Sequence, residues 1–126
     1  MGEVRVFLCA LQELPCHASR GFAVETPVGV QDIFVVRDNT RVCAYYNSCP
    51  HTGAPLDWMP DQFLSLDMAH IQCATHAALF NVHDGVCVAG PCRGDALIAV
   101  PLVSDADSVF LLQGEFCARL RAAGLS

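Results

Sequence analysis

Alternation between apolar and polar residues runs along most of this chain, and it constrains the fold more than any other feature of the sequence. Successive side chains of a β-strand point to opposite faces, so a strand with one buried face repeats with a period of two. This pattern predicts short strands in the stretches EVRVFLCAL, GFAVE, QDIFVVR, RVCAYYN, HIQC, LFNVH, VCVA, DALIAVPLV and SVFLLQG. Turn-forming residues separate them, with tight turns predicted at 38–39 and 84–85 and a connection at 104–107.

Many short strands with no helices between them favour an all-β domain, either an antiparallel sandwich or an incomplete barrel. The stretch EFCARLRAAGL near the C-terminus is the only predicted helix, and Gly124 is its stop signal. A chain of 126 residues is the size of one domain, so we assign 1–126 to a single domain. The weakly patterned stretch 52–72 predicts a long connection with at most one helical turn.

The charge balance argues against one class of partner. The chain has a formal net charge of −6 and no lysine, whereas phosphate binding needs clustered positive charge, so we expect no nucleic acid partner. An acidic surface suits docking on a basic protein, and simple solubility is the alternative reason for it. No apolar run is long enough for a membrane span and no signal peptide pattern is present, so we expect no membrane partner and a complete, cytoplasmic chain.

Cysteine usage points to metal chemistry in two short boxes. Eight cysteines in a chain without a secretion signal indicate reduced thiols, most of them small buried hydrophobes. Cys49 and His51 lie in CPHTGAPL, and Cys73 and His76 lie in CATH, each pair in a turn-rich loop between strands. Thiolate and imidazole are ligands of zinc and iron.

One cysteine and one histidine in each box suggest that the two cysteines converge on one metal and the two histidines on a second. That is the ligation of a [2Fe–2S] cluster in which two histidines replace two thiolates on one iron. The alternative is a structural zinc site with the same four ligands. Zinc sites usually pair C-x-x-C with H-x-x-x-H rather than mixed boxes, which disfavours that alternative.

The boxes CPH and CATH resemble the C-x-H and C-x-x-H boxes of the Rieske family, and ALFNVHDGVCVAGPC is similar to low-potential Rieske-type ferredoxins. The resemblance covers about 21–102. It implies an antiparallel base that carries a small cluster-binding subdomain at about 47–92, built from two loops and holding one [2Fe–2S] cluster. The implied ligands are Cys49 and Cys73 for the inner iron and His51 and His76 for the outer iron. A third loop, AGPC, matches the family's proline loop, so Gly90 and Pro91 would cover one side of the cluster.

Departures from the respiratory branch of the family carry further information. That branch joins its two loops by a disulfide, but its extra cysteines correspond here to Ala54 and Thr75. It also places a serine and a tyrosine where this chain has Ala78 and Phe80, and those hydroxyls stabilise the reduced cluster. The resemblance therefore implies a reduction potential of roughly −150 mV rather than roughly +300 mV. Ala77 stands where the family usually has glycine, and the connection between the boxes is longer than usual, which can shape a docking surface.

The resemblance implies a soluble, monomeric one-electron carrier rather than an enzyme. It would take electrons from a flavin-type reductase and pass them to an oxygenase or another terminal enzyme, with His51 or His76 as the exit. No phosphate-binding glycine loop or nucleophile constellation argues for catalysis. The alternatives are a small redox subunit of a reductase, similar to that of assimilatory nitrite reductases, a redox sensor, or a zinc-stabilised interaction module.

Overall fold

The computed structural model describes residues 4–15, 17–27, 29–37, 41–48, 50, 55–57, 61–65, 69–73, 78–90 and 93–124. Strands make up most of the regular structure in these residues, as the alternation predicts. They are β1 (Arg5–Ala10), β2 (Ser19–Thr26), β3 (Gly29–Arg37), β4 (Val42–Tyr46), β5 (His70–Gln72), β6 (Leu79–Asn81), β7 (Cys87–Ala89), β8 (Leu102–Asp105) and β9 (Ser108–Leu112). A short 3-10 helix covers Leu11–Glu13, and α1 (Gln113–Ala122) follows β9 directly.

The strands form three small antiparallel sheets with the orders β1-β9-β8, β2-β3-β4 and β5-β6-β7. This arrangement confirms the all-β prediction, and the described strands do not close into a barrel. The helix predicted near the C-terminus is confirmed as α1, which buries Phe116, Cys117 and Leu120. Within the described ranges, no helix combines the length and apolar character that crossing a membrane requires.

Strand β3 lies in the middle of the fold and is buried on both faces. Its residues Ile33, Phe34, Val35 and Val36 are all almost completely inaccessible to solvent. Phe34 and Val36 face a first core, and Ile33 and Val35 face a second. The β2-β3-β4 sheet is therefore a middle layer, and the continuous apolar run in QDIFVVR reflects burial on both sides.

The two cores divide the molecule into a base and a site-bearing half. The base core contains residues of β1, β9 and α1, among them Leu8, Val109, Leu111, Phe116 and Leu120. The loop-side core lies on the other face of the middle sheet and contains Phe34, Val36, Tyr45, Leu56, Phe63, Leu64, Ile71, Cys73, Ala78, Phe80, Val82, Cys87 and Leu97. The first half stabilises the fold, and the second half carries the predicted ligand loops.

The strand predicted over DALIAVPLV is wrong for most of its length. Only its last two residues belong to a strand, the β8 strand that begins at Leu102, and the preceding segment makes isolated bridges at Ala96 and Ala99. Leu97 packs in the loop-side core, whereas Val100 packs in the base core. The segment therefore crosses from one layer to the other. Its apolar residues pack in both cores rather than on one face of a sheet.

The connection between the two boxes lies against the middle sheet. Its described stretch 61–65 contains no helical residue, and Leu64 pairs with Ile71 of β5. The Phe63 ring stacks on Phe34, with ring centroids 4.3 Å apart and planes 6° from parallel. Asp61 accepts a hydrogen bond from the Gly21 backbone N–H at 2.7 Å. These contacts anchor the long connection on β2 and β3.

Candidate metal centre

The first predicted ligand loop, 48–55, is closed at its base by the side chain of Asn47. The Asn47 amide oxygen accepts a hydrogen bond from the Leu56 N–H at 2.7 Å, and its amide nitrogen donates to a carboxylate oxygen of Asp57 at 3.2 Å. The Asn47 backbone N–H donates to the Asp32 carbonyl oxygen of β3 at 2.9 Å. Leu56 is fully buried in the loop-side core. Both ends of this loop are therefore held on the middle sheet.

The second predicted ligand loop is the tip of the hairpin between β5 and β6. The Cys73 backbone N–H donates to the Ala78 carbonyl oxygen at 2.9 Å, which extends the ladder of the hairpin by one pair. Residues 74–77 lie outside the described residues. The side chains of Cys73 and Ala78 are both fully buried in the loop-side core. The thiol of Cys73 therefore lies at the base of the tip and away from solvent.

The third loop begins at Gly90 and lies directly against the second. Gly90 has a φ of +101°, and a Cβ added there would lie 2.8 Å from the Ala78 Cα and 3.0 Å from the Ala78 Cβ. Only glycine combines this backbone conformation with so close an approach. Pro91, the other residue predicted for this loop, lies outside the described residues. The two loops thus touch through backbone at Ala78, without side chains between them.

The described residues include one of the four predicted ligands. Cys73 lies in the second loop as predicted, whereas Cys49, His51 and His76 lie outside the described ranges. Among the described residues, no three histidine, cysteine, aspartate or glutamate side chains come together as a metal site.

The environment of Cys73 suits a thiolate-bound cluster. Its sulfur is a soft donor enclosed by apolar side chains of the loop-side core, including Leu56 and Phe80. Gly90 closely approaches the backbone of Ala78, the residue whose carbonyl oxygen accepts the Cys73 N–H. A soft donor and a surrounding from which water is excluded suit iron–sulfur ligation. The residues present fit such a group.

The remaining described cysteines behave as the sequence predicts. Cys9, Cys87 and Cys117 are buried and Cys43 is half-buried, and within the described residues these four and Cys73 form no disulfide. Burial, followed by the nearby Glu13 carboxylate, raises the pKa of the Cys9 thiol. A raised pKa keeps a thiol protonated and unreactive at neutral pH. Cys16 and Cys92 lie outside the described residues.

An open cleft of about 530 Å³ lies beside the first loop, between its base and strands β2 and β3. Asp32, Asp57 and Asp61 place three carboxylates on its wall, and the lining residues in the described part of the chain include no cation. Carboxylates concentrated in a cleft give this end of the molecule a negative field. The acidic character noted from the net charge is therefore present next to the first loop.

Asn47 and Asp61 contribute to the site although neither belongs to a motif found in the sequence. Asn47 precedes Cys49 by two residues, and asparagine side chains often close local turns by bonding to nearby backbone. Asp61 has a φ of +64°, a conformation that aspartate tolerates better than most residues. The partners of Asp61 on β2 are about forty positions away, so no local pattern could identify them.

Comparisons with known proteins agree with this geometry. The family model of the Rieske [2Fe-2S] domain matches residues 4–104. A solved structure of the ferredoxin of carbazole 1,9a-dioxygenase from Nocardioides aromaticivorans IC177 is 26% identical, with a TM-score of 0.66 over 86% of this chain and 96% of that one. No curated protein matches the chain.

Two further solved structures share the fold. A chain in the complex of reduced oxygenase and oxidized ferredoxin in carbazole 1,9a-dioxygenase is 22% identical, with a TM-score of 0.70 over 89% of this chain and 95% of that one. A chain in the reduced complex between oxygenase and ferredoxin in carbazole 1,9a-dioxygenase is 17% identical, with a TM-score of 0.72 over 88% of this chain. The match covers only 28% of that longer chain.

Proposed function

Because the chain belongs to the Rieske [2Fe-2S] domain family, we propose that it is a one-electron carrier that delivers electrons to a terminal oxygenase. Rieske domains bind one [2Fe–2S] cluster. The observation that carries the proposal is that one family match spans both boxes and every ligand-type residue in them, from Cys49 to His76. The near-complete overlap with a ferredoxin of similar size supports a transfer component rather than a catalyst.

We assign the ligands by motif position, with Cys49 and Cys73 on the inner iron and His51 and His76 on the outer iron. The cluster, when bound, supplies reversible one-electron chemistry. The chain supplies the placement of the ligands. Asn47 closes the loop of the first pair, and the β5-β6 hairpin holds Cys73 in an apolar surrounding from which water is excluded. We propose 1–126 as a single domain with its cluster-binding subdomain at about 47–92.

We propose a reduction potential at the low end of the Rieske range. Ala78 and Phe80 are fully buried beside Cys73 in the loop-side core, and neither carries a hydroxyl. Hydrogen bonds from hydroxyl groups to cluster or ligand sulfur stabilise the reduced state, and their absence lowers the potential. A strongly positive midpoint in a redox titration would contradict this assignment.

For partners, we propose a flavin-type reductase as donor and an oxygenase as acceptor. One of the similar structures is a complex of reduced oxygenase and oxidized ferredoxin in carbazole 1,9a-dioxygenase, which supports the acceptor. The carboxylates beside the first loop favour a basic docking surface on a partner. We propose a monomer that shuttles between the two. We propose the cytoplasm as its location, because a reducing compartment keeps its eight cysteines as thiols.

The test is electron paramagnetic resonance of anaerobically purified, dithionite-reduced protein, with iron, sulfide and zinc measured on the same sample. We expect two irons and two sulfides per chain and a rhombic signal whose average g is below that of all-thiolate [2Fe–2S] proteins. Zinc without sulfide after cluster reconstitution would overturn the proposal. Oxidation of the reduced protein by an oxygenase, measured by stopped flow, tests the carrier role.

Matched variants test the ligand assignment. Cys49→Ala, His51→Ala and His76→Ala should each remove the rhombic signal, because each leaves one iron short of a ligand. Cys43→Ser and His83→Ala are the controls, since both residues lie outside the two boxes. Loss of the signal in either control, or its survival in His76→Ala, would refute the assignment.

A further inference from the structure

Asn47 is the one side chain described in this structure that bonds to the residues just after the first ligand loop while its own backbone is held by β3. We propose that Asn47 and Asp57 together form a lock that positions this loop, and that the lock sets how tightly the cluster is held and the electronic state of its iron. This inference rests on the proposed function, because it assumes that the loop carries two cluster ligands.

The chemistry of the lock needs an amide at position 47. One group of the side chain accepts a hydrogen bond from the Leu56 N–H at 2.7 Å, and the other donates to the Asp57 carboxylate at 3.2 Å. An amide provides one acceptor and one donor, whereas a carboxylate provides acceptors alone. Aspartate at this position would keep the bond from Leu56 but would place two carboxylates in contact. A shorter or apolar side chain would make neither bond.

The lock lies where it can change the geometry of the site. It joins the residue after β4 to the residues that follow the loop, so it fixes the distance between the two ends of 48–55. Leu56, which donates its N–H to Asn47, packs in the loop-side core together with Cys73 and Ala78. A shift at the base of the first loop is therefore a shift relative to the ligand of the second loop. Residues that orient metal ligands in this way typically change metal affinity about 10- to 100-fold when they are altered.

The arrangement offers a charge-neutral exchange as a test. Asn47→Asp removes the donor and adds a negative charge, and Asp57→Asn removes one. The double variant restores the pair with donor and acceptor exchanged, because the new amide at position 57 can donate to the new carboxylate at position 47. That carboxylate still accepts from the Leu56 N–H, and the net charge of the double variant equals that of the wild type. Recovery in the double variant therefore reports on the geometry of the lock rather than on charge.

Asp32→Asn is the matched control. Asp32 lines the same cleft as Asp57, and its backbone carbonyl accepts the Asn47 N–H, but no carboxylate bond from Asp32 belongs to the lock. The substitution changes the charge of the cleft as Asp57→Asn does and leaves the backbone bond in place. It separates the electrostatic effect of one carboxylate from the positioning effect.

The measurements are the rate of iron release to a chelator and the g values of the reduced cluster, on the full chain loaded with its cluster. Asn47→Asp should release iron about 10-fold faster and shift the g values. The double variant should return to within about twofold of the wild type, and Asp32→Asn should stay there. If Asn47→Asp retains no cluster, a loaded double variant with wild-type g values supports the lock.

Two results would overturn the lock: an Asn47→Asp protein that matches the wild type in both measurements, or a double variant that stays as defective as Asn47→Asp. These results differ from failure of the proposed function. In that case the wild type itself would hold no [2Fe–2S] cluster after reconstitution.

Discussion

Gly90→Ala tests whether the third loop is held against the second by backbone contact. Gly90 has a φ of +101°, which costs a residue with a Cβ about 1–2 kcal/mol. The new Cβ would also lie 2.8 Å from the Ala78 Cα, a backbone atom that cannot rotate away. Forcing an atom into a packed site costs typically about 1–3 kcal/mol. We expect a total loss of about 2–5 kcal/mol in the free energy of unfolding.

Gly94→Ala is the control, because Gly94 has a similar φ of +96° but no atom within 4 Å of its added Cβ. It should lose only the backbone cost of about 1–2 kcal/mol. Urea unfolding of both cluster-free variants gives the difference, since the same slope applies when the exposed surface is unchanged. The reasoning is refuted if the two variants lose the same free energy. A shift in the g values of the cluster-loaded Gly90→Ala protein would show in addition that this contact affects the geometry of the site.

Further tests concern the framework of the site. Tyr45 donates a hydrogen bond to the Val82 carbonyl oxygen at 2.6 Å, so Tyr45→Phe should cost about 1–3 kcal/mol. Burial also raises the pKa of Tyr45 in the folded state. Its contribution is therefore complete below about pH 10 and falls as the unfolded chain ionises above it, a slope that Tyr45→Phe should flatten in unfolding measured against pH. Phe63→Ala should cost about 3–5 kcal/mol in urea unfolding. Phe7→Ala, at a site 57% exposed, should cost under about 1 kcal/mol. Asp61→Ala should lose about 1–3 kcal/mol, whereas Asp61→Asn keeps an acceptor and tolerates the positive φ, and equal losses would contradict this account.

The strands were predictable where one local pattern decides burial. Strands β1 to β7, β9 and the helix lie where alternation, turn residues and periodicity place them. The segment before β8 was not predictable, because Leu97 and Val100 belong to different cores and only the tertiary structure assigns them. The contact of 61–65 with the middle sheet was not predictable for the same reason, since stacking of Phe63 on Phe34 joins residues far apart in sequence.

The two boxes of the candidate site could be found from the sequence, whereas the contacts that support them could not. The ligand types and their spacing are local features, so the two boxes could be found from the sequence. The contacts that close the loops join residues that are farther apart in the sequence. Asn47 acts on residues at the far end of its loop, and the role of Gly90 depends on a contact with Ala78. A motif therefore predicts the ligands, while the contacts of Asn47 and Gly90 depend on the fold.

The register of the β5-β6 hairpin places Cys73, one of the predicted ligands. Cys73 follows β5 directly, and its bond to Ala78 is the last rung of the β5-β6 ladder. Because side chains alternate along a strand, a slip of one residue would turn Cys73 out of the loop-side core and bring a neighbour in. Such a slip would also expose Ile71 and Phe80, which pair on the buried face. Burial of those two side chains thus fixes the register, and the register places the thiol. The same apolar surface that stabilises this half of the molecule therefore positions its predicted metal ligand.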